Sequence, residues 1–299
     1  MSTDLRRAAL HVTSAGAAFA LMGAFAKTAA QLGLSNVLLV FARNLISVLV
    51  LAPLLLRAGS DAFRTQRFGG HLWRAGFGLL GMYTLYYAIS HLTLAEALLL
   101  NYSSPLFIPF IAWLVLRERP PALLIPASLL GLAGVALIVK PAALGLSLAS
   151  LVGAASGVFA ACAMVSLRRI SDTEPPMRVV FYFGAVGLVI SAIPLYWHWQ
   201  PLGWRELGVL LGTGLFATLG QLQLTRAYAC APAARVGAMG YSAVLFAGLL
   251  GWLIWGETPD GWSLLGAVLV IGTCVLAGWQ PAPRAPANRA PISPEDAGS

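Results

Sequence analysis

Tyr102-Ser103-Ser104-Pro105-Leu106-Phe107, with Trp113-Leu114 and Glu118-Arg119-Pro120 behind it, returns 139 residues later. The second copy is Tyr241-Ser242-Ala243-Val244-Leu245-Phe246, followed by Trp252-Leu253 and Glu257-Thr258-Pro259. Leu on Leu matches by chance in any apolar chain. Trp on Trp, Tyr-Ser on Tyr-Ser and Glu-x-Pro on Glu-x-Pro do not. The match extends without a gap to Phe77 on Phe216, Gly81 on Gly220, Leu85 on Leu224 and Ala95 on Ala234. At slightly different offsets Gly16-Ala17-Ala18 meets Gly153-Ala154-Ala155, and Pro53-Leu54 meets Pro194-Leu195. The chain is therefore two copies of one unit.

The nature of that unit follows from composition. Of 299 residues, 59% are hydrophobic and 10% charged, with a mean hydropathy of +0.79. Soluble domains carry about 25% charged residues, so this chain takes lipid as its main solvent. A membrane helix needs about 20 apolar residues. Apolar runs fall near 8–28, 36–56, 72–91, 94–116, 121–139, 147–167, 177–198, 205–228, 233–255 and 261–279. The reading is an all-α integral membrane protein of ten transmembrane helices arranged as two inverted five-helix repeats. Its parts are a cytoplasmic N-terminus (1–7), the repeats (8–140 and 141–279) and a Pro-rich disordered cytoplasmic tail (280–299). Five is odd, so the second copy enters the bilayer from the opposite side. Inverted repeats of this kind are typical of secondary transporters, which hold substrate near the midplane between the halves. Such a composition excludes a soluble enzyme, a nucleic-acid-binding domain and a single-pass receptor.

The net charge of +8 is a topology signal. With the N-terminus inside, the cytoplasmic ends hold Arg6, Arg7, Arg57, Arg64, Arg67, Arg74, Arg117, Arg119, Arg168, Arg169, Arg178, Arg226, Arg235, Arg284 and Arg289; the outer ends hold Lys27, Lys140 and Arg205. Basic residues concentrate on cytoplasmic loops, which places the protein in the cell (inner) membrane as a multi-pass chain with both termini cytoplasmic. Trp197, Trp199, Trp204, Trp255, Trp262 and Trp279 fall near helix ends, as an aromatic belt would. Arg6-Arg7 before an apolar run ending Ala24-Phe25-Ala26 mimics a signal peptide, but the repeat requires this helix as its first. Cys162, Cys230 and Cys274 are too few and too scattered for a disulfide framework or zinc site. No metal and no cofactor are expected, and no Walker motif is present to bring in ATP.

A family resemblance becomes specific over three stretches. They are His71-Leu72-Trp73-Arg74 through Tyr86-Tyr87-Ala88-Ile89, then Leu94-Ala95-Glu96-Ala97, then Tyr102 to Phe107 and Leu116-Arg117-Glu118-Arg119. These resemble the EamA family of the drug/metabolite transporter superfamily, and Gly256-Glu257 with Leu265-Gly266-Ala267 resembles its second copy. The resemblance implies ten helices, two repeats and export or uptake of small metabolites. Glu96, Asn101, Tyr102 and Pro105 are also similar to a stretch in the family's aromatic amino-acid exporters, with Ser104 where those have Trp. S-adenosylmethionine carriers of the superfamily are comparably similar.

The candidate site residues are the polar ones that lipid cannot satisfy. Tyr83, Tyr86, Tyr87 and Ser90 share one face of the third helix, with His91 beside it; their hydroxyls need protein or a wet cavity. Thr218, Gln221, Thr225 and Tyr228 form an answering face on the eighth. Glu96, Asn101, Tyr102 and Ser104 precede or adjoin Pro105, which kinks the fourth helix and frees carbonyls. Tyr241 is the repeat mate of Tyr102. Arg43, inside the second helix, is the costliest residue to bury; it either holds a substrate carboxylate or phosphate through its planar fork or pairs internally with Glu96 or helix-end carbonyls. Substrate contact is thus expected from Arg43, Tyr83, Tyr86, Tyr87, Asn101, Tyr102, Ser104, Gln221 and Tyr241, and coupling or gating from Glu96, His91 and Pro105. Glu118 and Glu257 are read as caps of the helix that follows each.

The resulting expectation is a secondary transporter, not an enzyme, that moves an amino acid or related amphipathic metabolite, in the export direction, by alternating access. Its partners are a small-molecule substrate, membrane lipid and a proton as candidate coupling ion, with no nucleic acid; it is a monomer or homodimer. An uptake or exchange carrier for a nucleoside-type metabolite such as S-adenosylmethionine is the alternative. Readings of other classes are a membrane scaffold or a membrane-embedded enzyme.

Overall fold

The computed structural model describes residues 3–116, 124–139, 147–170, 173–230, 240 and 242–278. Among these the chain is all-helical. The helices are α1 (Thr3–Gln31), α2 (Asn36–Arg57), α3 (Phe68–His91), α4 (Leu94–Tyr102), α5 (Ser104–Leu116), α6 (Leu124–Val139), α7 (Leu148–Ile170), α8 (Pro176–His198), α9 (Trp204–Cys230), α10 (Ser242–Trp255) and α11 (Gly261–Gly278). Five are long and apolar enough to cross a membrane: Arg6–Gln31, Asn36–Arg57, Leu148–Leu167, Pro176–His198 and Trp204–Tyr228. Shorter apolar helices cover Leu94–Ile108, Ser242–Trp255 and Gly261–Thr273. The α3 helix is as long, but its glycines and tyrosines dilute its hydropathy. The proline-rich tail, Glu118, Arg235 and Tyr241 lie outside the described residues.

The fourth apolar run, expected as one kinked helix, is two helices. Thr93 caps α4, its hydroxyl accepting from the Glu96 N–H while the Glu96 carboxylate accepts from the Thr93 N–H, a reciprocal capping box. Ser103 ends α4, and Pro105 falls in the first turn of α5, where a missing N–H does no harm. Pro53 and Pro194 sit inside α2 and α8 at repeat-related places.

Packing follows the repeat. The α1 helix lies on α9, and its mate α7 lies on α3, the mate of α9. The α2–α9 contact is answered by α8–α3, and α1–α10 by α7 against α4 and α5. The α2–α8 and α6–α11 pairs join mates directly. Exchanging the halves leaves this pattern unchanged, and nearly all of it crosses between them. Hydrogen bonds fix the directions. His11 near the start of α1 meets Gln223 near the end of α9 at 3.0 Å. Arg178, at the start of α8, donates to the Ala62 carbonyl beyond the end of α2 at 2.7 Å. At the other end, Gln31 of α1 accepts from the Trp255 indole at 3.0 Å. Gly70 at the start of α3 stands against Ile170 at the end of α7, and Arg74 near that start reaches Gln221 toward the end of α9, so mates α1 and α7, α2 and α8, and α3 and α9 run in opposite directions.

Small residues permit the close crossings. A methyl on Gly16 would stand 2.7 Å from the Ser242 Oγ and 2.9 Å from the Ala243 nitrogen, at the start of α10. One on Gly157 would stand 2.6 Å from the Leu100 carbonyl and 2.7 Å from the Ser103 Oγ, at the break between α4 and α5. The first helix of each half therefore presses a glycine against the repeated serine of the other, Gly16 on Ser242 and Gly157 on Ser103. Such small-residue contacts hold membrane helices together where lipid removes the hydrophobic drive. Outward surfaces carry Leu49, Val189, Ile193, Leu245 and Leu253, all more than half exposed, with Trp197 and Trp204 near helix ends.

A polar cluster closes one end. Glu174, between α7 and α8, is 5% exposed. It accepts from Thr65 at 2.7 Å, from the Gln66 N–H at 3.3 Å and from Arg178 at 2.9 Å. Burial pushes its carboxyl up, but the Thr65 and Arg178 hydrogen bonds and the Arg178 charge outweigh this and hold it below the usual carboxylate value. Its contribution is then present above the unfolded value of about 4.3 and disappears as pH falls through the lower folded one.

Two expectations follow. Gly157→Ala is expected to lower stability by about 1–3 kcal/mol through overpacking, whereas Gly208→Ala, with open space around it, leaves the thermal midpoint in detergent unchanged or raised. Equal midpoints would remove the case for close packing at the break. Glu174→Gln is expected to lose about 1–3 kcal/mol at pH 7, with the gap to wild type closing as pH drops below about 4; a gap independent of pH would contradict the hydrogen-bonded carboxylate.

Candidate functional site

Between the halves lies a cavity of about 130 Å³. Its wall takes Phe19 and Met22 from α1, Arg43 from α2, Arg74, Gly78, Gly81, Met82, Leu85 and Tyr86 from α3, and Leu98, Asn101 and Tyr102 from α4. The rest is Ser104 of α5, Ala160, Ala163 and Met164 of α7, Phe183 of α8, Gln221, Leu224 and Tyr228 of α9, and Gly240. Both halves contribute. The break at Ser103 sets Asn101, Tyr102 and Ser104 around one turn, so all three reach the wall.

Two arginines dominate it, and each is 4% exposed. Arg43 lies roughly 10 Å from the start of α2, and Arg74 roughly 9 Å from the start of α3, at 1.5 Å per residue. These starts are at opposite ends of the molecule, so the side chains converge from opposite depths. Their guanidinium carbons lie 5.2 Å and 4.4 Å from the Phe183 ring centre, within range of a cation–π contact. Arg43 also contacts the Met82 sulfur, and Arg74 Nη2 donates to Gln221 Oε1 at 3.4 Å. Each retains an Nε without a hydrogen-bond partner, as does the Tyr86 hydroxyl, which is 1% exposed. Among the described residues no carboxylate stands within ion-pair distance of either arginine.

Of the residues singled out from sequence, the structure brings Arg43, Tyr86, Asn101, Tyr102, Ser104 and Gln221 together on this wall. Asn101 donates to the Ser156 Oγ at 3.2 Å, tying α4 to α7. Tyr83 is half-buried against the core beside the cavity, its hydroxyl unpartnered. Tyr87 stacks on the exposed His91 at the end of α3, ring centres 4.3 Å apart; neither lines the cavity. Glu96 stands at the α4 start, where its carboxylate accepts from the Ser263 hydroxyl at 2.7 Å.

Three placements correct the sequence reading. Arg74 is no cytoplasmic loop base: it is buried one turn past His71 and lines the cavity. Arg74, Gly78, Met82 and Tyr86 recur every four residues, so the signal was a helical ridge running from the tyrosine back to the charge. Lys27, counted among the outer-end bases, is not a surface charge but 9% exposed, ion-paired with Glu257 and donating to the Leu92 carbonyl at 2.8 Å. Glu257 does not cap the helix after it, because Asp260 does, accepting from the Ser263 N–H at 2.8 Å. Glu257 instead accepts from the Leu94 N–H at 2.8 Å and so caps α4 of the other half. Phe183 and the methionines Met22, Met82 and Met164 carried no sequence signal separable from ordinary core.

Comparison with known proteins agrees with this architecture. The EamA-like transporter family model matches residues 6–140 and 147–279. The pseudopaline exporter CntI of Pseudomonas aeruginosa is 35% identical over 91% of this chain and 95% of its own length. A riboflavin transporter of Vibrio cholerae is 29% identical over 91% of this chain and 93% of its own. A crystal structure at 21% identity shares the fold, with a TM-score of 0.58 over 90% of this chain and 94% of that one. Family, helices and relatives agree: the chain is a multi-pass membrane transporter, not an enzyme, and it belongs to the EamA-like transporter family.

Proposed function

We propose that this transporter exports a small amphipathic metabolite of the amino-acid class by alternating access. Ten spans, in two inverted repeats over 8–140 and 141–279, would cross the cell membrane with both termini cytoplasmic. The observation that carries the reading is the cavity: it lies between two antiparallel, interlocked halves and takes its wall from both. Halves related this way have inward- and outward-open arrangements of similar energy, which is what rocking requires. An apolar wall with a few convergent polar groups is the ordinary form of a small-molecule site.

Each end of the cavity is crossed by polar contacts between the halves. At one end stand Lys27–Glu257–Leu94, Gln31–Trp255 and Glu96–Ser263; at the other stand His11–Gln223 and Glu174 with Thr65 and Gln66. These would part in turn as each mouth opens, with the α4–α5 break around Ser103 and Pro105 as a hinge. Tyr241, the mate of Tyr102, belongs to the proposed wall by symmetry. Glu96, occupied as acceptor for Thr93 and Ser263, is assigned to the mouth; the same carboxylate is the candidate for proton coupling.

Purified protein in liposomes is expected to give saturable counterflow of labelled metabolites from an amino-acid panel, above empty liposomes. Folded protein with no flux across the panel would count against the reading. Glu96→Gln separates gate from coupling: flux that keeps its dependence on an imposed pH gradient excludes Glu96 as the proton carrier, and loss of that dependence assigns it the role.

A further inference from the structure

We infer that the cavity binds its substrate as a dianion, gripped by Arg43 and Arg74, which both stand against Phe183. The inference rests on the transport reading and deepens it, adding the substrate's charge and the two groups that read it. Two guanidinium ions stand inside a membrane protein, each 4% exposed, with no carboxylate of the described residues in ion-pair range. Arginine stays charged in proteins, so neutralisation by losing protons is closed to both. A buried charge without a partner costs several kcal/mol, and intramembrane charges face a ligand or ion pathway for that reason. Each arginine also keeps an unpartnered Nε, and both line the cavity. A planar fork matches two oxygens of a carboxylate or phosphate.

The other polar groups fit the same guest. Asn101, Ser104 and Gln221 are neutral, and Gln221 Oε1 is already turned to Arg74. The unpartnered Tyr86 hydroxyl can donate to an anionic oxygen as well. Phe19, Met22 and Leu85 offer an apolar bed to the carbon frame. The site thus asks for two negative charges on one small, partly apolar body. Two carboxylates meet that demand, and so does one phosphate monoester.

The test uses the full-length protein in nanodiscs and reads thermal midpoint and affinity. Probes are aliphatic dicarboxylates of three to seven carbons, their monomethyl and dimethyl esters, phenyl phosphate and sodium chloride. At least one dicarboxylate or phenyl phosphate is expected to raise the midpoint saturably, with each methyl ester weakening binding about tenfold or more. Arg43→Gln and Arg74→Gln are each expected to weaken dianion binding about tenfold to a hundredfold, and Arg74→Lys to restore part of it. Binding by dicarboxylates or by phenyl phosphate alone names the source of the charge. Dimethyl esters binding as well as dianions would overturn the inference, as would equal stabilisation by chloride, no dianion response, or unchanged affinity in Arg74→Gln. The wild-type contrast between acid and ester decides the matter even where a variant fails to fold. Dianion binding without flux would instead defeat the transport reading, and flux of substrates without dianion preference would defeat only this one.

Discussion

A charge inside this molecule cannot be left to water. Hydrocarbon surrounds the helices, and every buried polar group must find its partner within the protein or in a guest. The described charges fall into two classes under that constraint. Lys27 meets Glu257, and Glu174 meets Arg178, Thr65 and Gln66, so those charges are matched internally. Arg43 and Arg74 have a ring, a sulfur and an amide oxygen between them, but no carboxylate among the described residues. The matched charges stand toward the two ends of the bundle and the unmatched ones in its interior. In the proposed transport cycle that division gives the ends to closure and the middle to binding.

The same constraint bears on the proposed transport cycle. A helix break inside a membrane exposes backbone that must be covered. Here the first helix of each half presses a glycine against the repeated serine of the other, Ser242 or Ser103. The interlock leaves few contacts within a half and many between halves. Opening a mouth then means parting inter-half contacts at one end while those at the other hold. The Glu257 cap on α4 links these ideas, since a carboxylate from one half fixes the start of the broken helix in the other.

Much of this was legible in the chain. Pairs such as Trp113 with Trp252 and Ser103 with Ser242 announce two copies, which the family model matches over 6–140 and 147–279. Arg43 stood out because an apolar run has no reason to hold it. Arg74 did not, because a base beside His71 and Trp73 looks like an interface residue until the helix is extended one turn outward. The pairing of Lys27 with Glu257 is not legible, because it spans 230 positions of sequence and no local pattern encodes it. Phe183 was invisible for a similar reason: a phenylalanine in an apolar helix is core unless two cations from other helices meet it.

The claim that reaches furthest is that two positive charges await two negative ones. The most direct measurement is the affinity of the wild-type protein for phenyl phosphate between pH 5 and 8, beside a sulfonate of the same shape. A phosphate monoester takes its second charge near pH 6, while the sulfonate keeps one charge throughout. Affinity for the phosphate is expected to climb about tenfold across that range relative to the sulfonate, and to climb far less in Arg74→Gln. A phosphate affinity that runs parallel to that of the sulfonate would show that the second arginine meets no second charge.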